Sequence, residues 1–104
     1  MNNKKRNKTK VKIYKGKQIG GNVTLISTDT TSILIDYGQA FKNSKLGNVE
    51  FDFNKKSVDA VFFTHYHYDH VGRFQLIPKS IDLYMGEVTK DMVKYRSPKD
   101  FGVN

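Results

Sequence analysis

Apolar and polar positions alternate with a short period over most of the first 64 residues and with a longer one only near the end. Residues 11–14 pair Val11 and Ile13 with Lys12 and Tyr14, which predicts a short strand. Gly20-Gly21 marks a turn around residues 18–21, since paired glycines supply backbone angles that other residues avoid. Residues 22–27 set Val23 and Leu25 against Thr24 and Ile26 and are rich in β-branched side chains. The polar run Thr28-Asp29-Thr30-Thr31 separates them from the apolar stretch Ser32–Ile35. Two strands flanking a tight polar turn predict an antiparallel hairpin.

The next region, 37–54, has no clean period. It holds Gly38, Gly47 and scattered Lys and Asn, and predicts a loop with a short strand near 51–53. Residues 58–64 predict a buried strand. A short helix is expected from about Val71 to before Pro78, because the residue preceding proline disfavours helical angles. Residues 81–85 predict another strand. Glu87–Arg96 predicts a helix with Val88, Met92 and Tyr95 on one side, an acid early, bases late, and a stop at Ser97-Pro98. Strands first and strand–helix–strand–helix afterwards imply an α/β, or layered α+β, architecture with helices on one face of a sheet.

The chain has 104 residues, enough for one small domain, and no cysteine, which excludes a disulfide scaffold and thiolate metal sites. The longest apolar run, Ala60–Phe63, is far short of the ~20 residues a spanning helix needs, so no membrane segment is expected. No apolar stretch follows the basic start, so it does not read as a secretory signal, and a cytoplasmic location is expected. The net charge is +8, and it all lies in residues 1–17, which hold eight bases and no acid. From Gln18 onward ten bases meet ten acids. The protein therefore reads as a neutral body, 11–104, behind a basic disordered leader, 1–10. Such a leader is either a solvated arm or one that attracts the phosphates of RNA.

All three histidines fall within six residues, His65-Tyr66-His67-Tyr68-Asp69-His70, directly after the strongest strand signal. In extended geometry positions two apart point to one side, so His65 and His67 are expected to face one metal ion, with Tyr66 and Tyr68 turned away. Asp69 and His70, beyond the turn, suit a second ion, and Asp69 could also cap the following helix. Imidazole and carboxylate donors favour zinc, with manganese or iron as alternatives. Three clustered imidazoles repel one another when charged and compete for donors when neutral. A cation resolves that conflict.

The signature His65-x-His67-x-Asp69-His70 at a strand end resembles the metallo-β-lactamase superfamily of metallohydrolases, as do Gly20-Gly21-Asn22 and Ile33-Leu34-Ile35-Asp36-Tyr37-Gly38. Residues 18–22 and 81–90 resemble more narrowly the ribonuclease J-like, β-CASP-type nucleases. The resemblance implies that this chain is the N-terminal half of an αββα sandwich whose second half supplies further ligands. It implies two divalent ions in the complete domain, held here by His65, His67, Asp69 and His70. Asp69 would also orient the attacking water, as its catalytic role. Asp36 would accept a hydrogen bond from a ligand imidazole, although an Asp there also suits a plain strand-ending turn. The activity implied is RNA phosphodiester hydrolysis through a metal-activated water. The alternatives are a small-molecule metallohydrolase acting on an ester, thioester or lactone, and a non-catalytic metal-binding half-domain.

Overall fold

The computed structural model of the protein describes residues 8–14, 20–41, 44 and 47–97. Five strands form one mixed sheet in chain order: β1 (Lys10–Tyr14), β2 (Val23–Ser27), β3 (Ser32–Ile35), β4 (Ala60–Phe63) and β5 (Asp82–Met85). The first three pair antiparallel, and β3–β4 and β4–β5 pair parallel. Helix α1 spans Tyr68–Val71, a 3₁₀ turn spans Phe74–Leu76, and helix α2 spans Glu87–Arg96. This is the mixed α/β architecture that the order of elements in the sequence predicts.

The β2–β3 hairpin forms as its pattern predicts. Thr28 N–H donates to the Thr31 carbonyl at 2.8 Å, and the Thr28 hydroxyl accepts from Thr30 and Thr31 N–H at 3.3 and 3.1 Å. A threonine thus closes the turn with its own side chain. Gly20 and Gly21, at φ 91° and 61°, lead the chain into β2. Helix α2 carries Glu87 in its first turn and Lys94 and Arg96 in its last, charges that suit the helix dipole.

Register divides the sheet into two faces. Val23, Leu25, Leu34, Val61 and Phe63 are buried on one face in a single cluster with Val71, Phe74, Ile77 and Val93. The loop after β3 joins this layer through a chain of edge-on rings, Tyr37–Phe53 at 5.5 Å, Phe53–Phe51 at 4.8 Å and Phe51–Tyr14 at 5.9 Å. The other face carries the rows Val11–Ile26–Ile33–Ala60 and Ile13–Thr24–Ile35–Phe62–Tyr84. There Val11, Ile13, Phe62 and Tyr84 are exposed, the last two with stacked rings 4.8 Å apart. Helices on one face of the sheet are the sequence expectation, and among the described residues the other face is left uncovered.

Several expectations change. No strand forms at 51–53. Residues 53–55 make a turn, and the phenylalanines pack as aromatic anchors of a loop. The helix expected near Val71 begins at Tyr68 and ends at Val71, with the 3₁₀ turn carrying the chain toward Pro78. Asp69 accordingly lies inside α1 rather than at its cap. The apolar side assigned to α2 is its solvent side: Val88, Met92 and Tyr95 are exposed, whereas Thr89 and Val93 are buried. The stripe was read from hydrophobicity alone, and the packing surface settles on the neighbouring one. The leader assigned to 1–10 overlaps β1 at Lys10, and its first seven residues lie outside the described set, as do residues 18–19 and Pro98.

Candidate metal centre

Parallel pairing sets the carboxyl ends of β3 and β4 side by side, with Ile35 opposite Phe62. The chain leaves β3 at Asp36, which is 4 % exposed and adopts φ 66°. Aspartate tolerates this left-handed region better than most residues. Asp36 N–H donates to the Phe62 carbonyl at 2.8 Å, which ties the turn to the neighbouring strand. Its carboxylate is filled by donors: Oδ1 accepts from Thr64 N–H at 2.8 Å, Oδ2 from the Thr64 hydroxyl at 2.9 Å, and Oδ2 lies 2.7 Å from His70 Nδ1. A carboxylate only accepts, so Nδ1 of His70 carries the proton and Nε2 keeps its lone pair. The strand-ending turn and the orientation of an imidazole are therefore the same residue's work.

The chain bends after β4, at Thr64 and again at Tyr66 and His67, so the extended geometry expected for 65–68 does not occur. The bend brings the His65 ring to 3.8 Å from the His70 ring, between centroids, and to 4.9 Å from the His67 ring. Ligand atoms of His65, Asp69 and His70 all lie within 4.8 Å of one another. His67 is exposed and sits at the margin of that trio. Its carbonyl accepts from the N–H groups of His70 and Val71 at 2.9 and 3.0 Å, which closes the first turn of α1. Tyr66 does turn away from the trio. It packs against the core, its ring beneath the Arg96 guanidinium, and its carbonyl accepts a hydrogen bond from that arginine.

The donor set suits a divalent cation. It comprises two half-exposed imidazoles and a carboxylate, with one imidazole already held in the tautomer that presents a lone pair. A third imidazole, His67, lies with its ring edge-on to that of His65, outside the trio.

Two other segments hold α1 in place. Tyr37 N–H donates to the His70 carbonyl at 2.9 Å, and Arg73 N–H to the Tyr37 carbonyl at 3.1 Å. The Arg73 guanidinium lies 4.8 Å over the Tyr37 ring and donates to the Val49 carbonyl at 2.8 Å. Burial raises the Tyr37 phenol above its ordinary pKa, with Arg73 opposing and Glu50 reinforcing the effect. Gly38 passes so close to α1 that a Cβ there would lie 1.8 Å from the Asp69 carbonyl oxygen. That position accepts nothing larger.

Two contributors were not read from the sequence as part of this site. Thr64 bonds Asp36 through both its N–H and its hydroxyl. Asn22, at the entrance to β2, reaches the backbone and side chain of Asp69 from 47 residues away. The hydroxyl residue immediately before His65 was a usable signal for Thr64. Only the tertiary structure reveals the Asn22 contact.

Residues 16–97 match the family model described as the metallo-beta-lactamase superfamily. The chain is also similar to the gamma-lactamase FDB1 of Fusarium pseudograminearum (strain CS3096), with 37% identity over 81 residues. That match covers 76% of this chain but 16% of the fungal protein, so the chain spans well under two thirds of its relative.

Proposed function

From membership of the chain in the metallo-β-lactamase superfamily, we propose that it carries the metal-ligand turn of a metal-dependent hydrolase. A divalent ion bound at such a cluster lowers the pKa of water and polarises the group under attack. His65 and His67 are assigned to one ion and Asp69 and His70 to a second, zinc in the first instance and manganese or iron otherwise. The carboxylate of Asp69 is assigned the role of accepting a hydrogen bond from the attacking water and so orienting it. Asp36 keeps the His70 proton on Nδ1, so that Nε2 stays a donor of electrons. The observation that supports this most directly is the 2.7 Å Asp36–His70 bond together with the His65, Asp69 and His70 trio. Further ligands, and the walls that select substrate, are assigned to a second half-domain.

For the substrate, the first reading is the phosphodiester of RNA, acted on in the cytoplasm. It is supported by the resemblance of residues 18–22 and 81–90 to ribonuclease J-like enzymes and by the eight bases of residues 1–17. The second reading is a small cyclic amide, ester, thioester or lactone, attacked at carbon. It is favoured by the relative named as a gamma-lactamase. Metal analysis of the full protein, alongside a His67→Ala variant, tests the shared premise, with bound metal falling in the variant. Metal-reconstituted protein is then offered an RNA oligonucleotide and a γ-lactam in parallel. Turnover of RNA alone supports the first reading and of the lactam alone the second. Failure to hydrolyse either, with metal bound, leaves a non-catalytic binding domain.

A further inference from the structure

We infer that Asn22 is a positioning residue of the metal centre. Its side-chain amide fixes where Asp69 and His70 present their ligand atoms. The inference rests on the reading above that Asp69 and His70 hold metal. Asn22 Nδ2 donates to the Asp69 carbonyl at 2.8 Å, and Asn22 N–H donates to the same oxygen at 2.9 Å. One residue thus fills both lone pairs of one carbonyl. The Asn22 carbonyl accepts from Gly38 N–H at 3.0 Å. That bond holds the Asn22 main chain at the crossing where Gly38 has no room for a Cβ.

Because a carbonyl oxygen only accepts, the atom facing Asp69 is the amide nitrogen, which has two hydrogens. The nitrogen that donates to the carbonyl also lies 3.5 Å from Asp69 Oδ2 and 3.3 Å from His70 Nε2. The second hydrogen therefore sits beside the carboxylate oxygen and the imidazole nitrogen assigned to the metal. Asp36 orients His70 from its Nδ1 side, and Asn22 borders the same ring on its Nε2 side. The Asp69 carboxylate lies 3.4 Å from His70 Nε2, and Asn22 holds the Asp69 main-chain carbonyl while bordering that same carboxylate oxygen.

The test compares zinc binding by competition titration, and the visible spectrum of cobalt-substituted protein, in the full protein and three variants. Asn22→Ala should bind zinc about 10- to 100-fold more weakly, as loss of a partner of a metal ligand generally does. Its cobalt spectrum should shift. Asn22→Asp, nearly the same size, should weaken binding at least as much, because it sets an acceptor against a carbonyl and a carboxylate. This variant also keeps the test open if Asn22→Ala does not fold. His70→Ala is the control for the metal centre itself. Zinc affinity within twofold of the parent in both Asn22 variants, with an unchanged cobalt spectrum and binding weakened in His70→Ala, overturns the positioning role alone. Full zinc binding by His70→Ala overturns the metal centre and this inference with it.

Discussion

At the scale of the residue, Asp36 concentrates more of the site than any ligand does. It sits buried at a positive φ, and its carboxylate accepts from Thr64 and His70 at once. Asparagine tolerates the same backbone region, so Asp36→Asn separates hydrogen bonding from backbone strain. One acceptor oxygen becomes a donor, which leaves a donor of Thr64 or His70 unmet. The expected cost is about 1–3 kcal/mol, read by urea denaturation of metal-free protein. A change below about 0.5 kcal/mol, the size expected of an indifferent substitution, would show the network to be ornamental. The role proposed for Asp36 was legible in the sequence only through the resemblance that residues 33–38 bear to the superfamily, since an Asp after an apolar strand suits a plain turn as well. Thr64 and Asn22 were not, since neither residue type announces a partner that lies 28 or 47 positions away.

At the scale of the element, α2 shows why a hydrophobic stripe is an ambiguous guide. Val88, Met92 and Tyr95 are apolar and share a side, yet Val93 and Thr89 meet the core. A ten-residue helix with few apolar positions leaves two stripes of similar weight. The stripe that meets the core is the one carrying Thr89 and Val93. Val93→Ala should destabilise by about 1–3 kcal/mol through the cavity it leaves, whereas Tyr95→Ala should stay within about 0.5 kcal/mol. Equal effects in thermal melts of the two variants would reverse the assignment of faces. Strands were easier to read than this helix. Period-two alternation in Val23–Ser27 leaves little choice of inward side, while the loop phenylalanines 51 and 53 imitate a strand because aromatic residues favour both settings.

At the scale of the whole molecule, the described residues build one layer on the sheet and leave its other face uncovered. Tyr37, Val49 and Val58 after β3, Val71 of α1 and Val93 of α2 share a core with Leu34, Val61 and Val23, which are almost completely buried, while Val11, Ile13, Phe62 and Tyr84 face outward. Among the described residues no helix is long and apolar enough to cross a membrane. Global stability should carry the signature of Tyr37, which ties the loop to α1. Its phenol titrates higher in the fold than its ordinary value of 10.0. As pH rises past that value the unfolded chain loses the proton first, so stability falls with pH and the fall ends above the folded pKa. Denaturation curves recorded from pH 8 upward should therefore show a steeper alkaline loss in the parent than in Tyr37→Phe. Parallel curves would mean that the phenol ionises alike in both states.

The sequence by itself determined the α/β class, the strands around residues 11–14, 22–27, 32–35, 58–64 and 81–85, and the crowding of three imidazoles and a carboxylate within residues 65–70. The strands follow from local periodicity, which acts between near neighbours in the chain, and the roles proposed for the clustered residues and for Asp36 follow from the family resemblance they carry. Tertiary structure decided which histidine stands nearest which. Parallel pairing of β3 with β4 puts Asp36 against Thr64, and the bend after β4 folds His70 back onto His65. It also decided that Asn22 bonds the carbonyl of Asp69 and that Gly38 crosses it too closely for a Cβ. Contacts across dozens of residues depend on where the sheet brings separate chain segments together, and local patterns carry no record of that meeting.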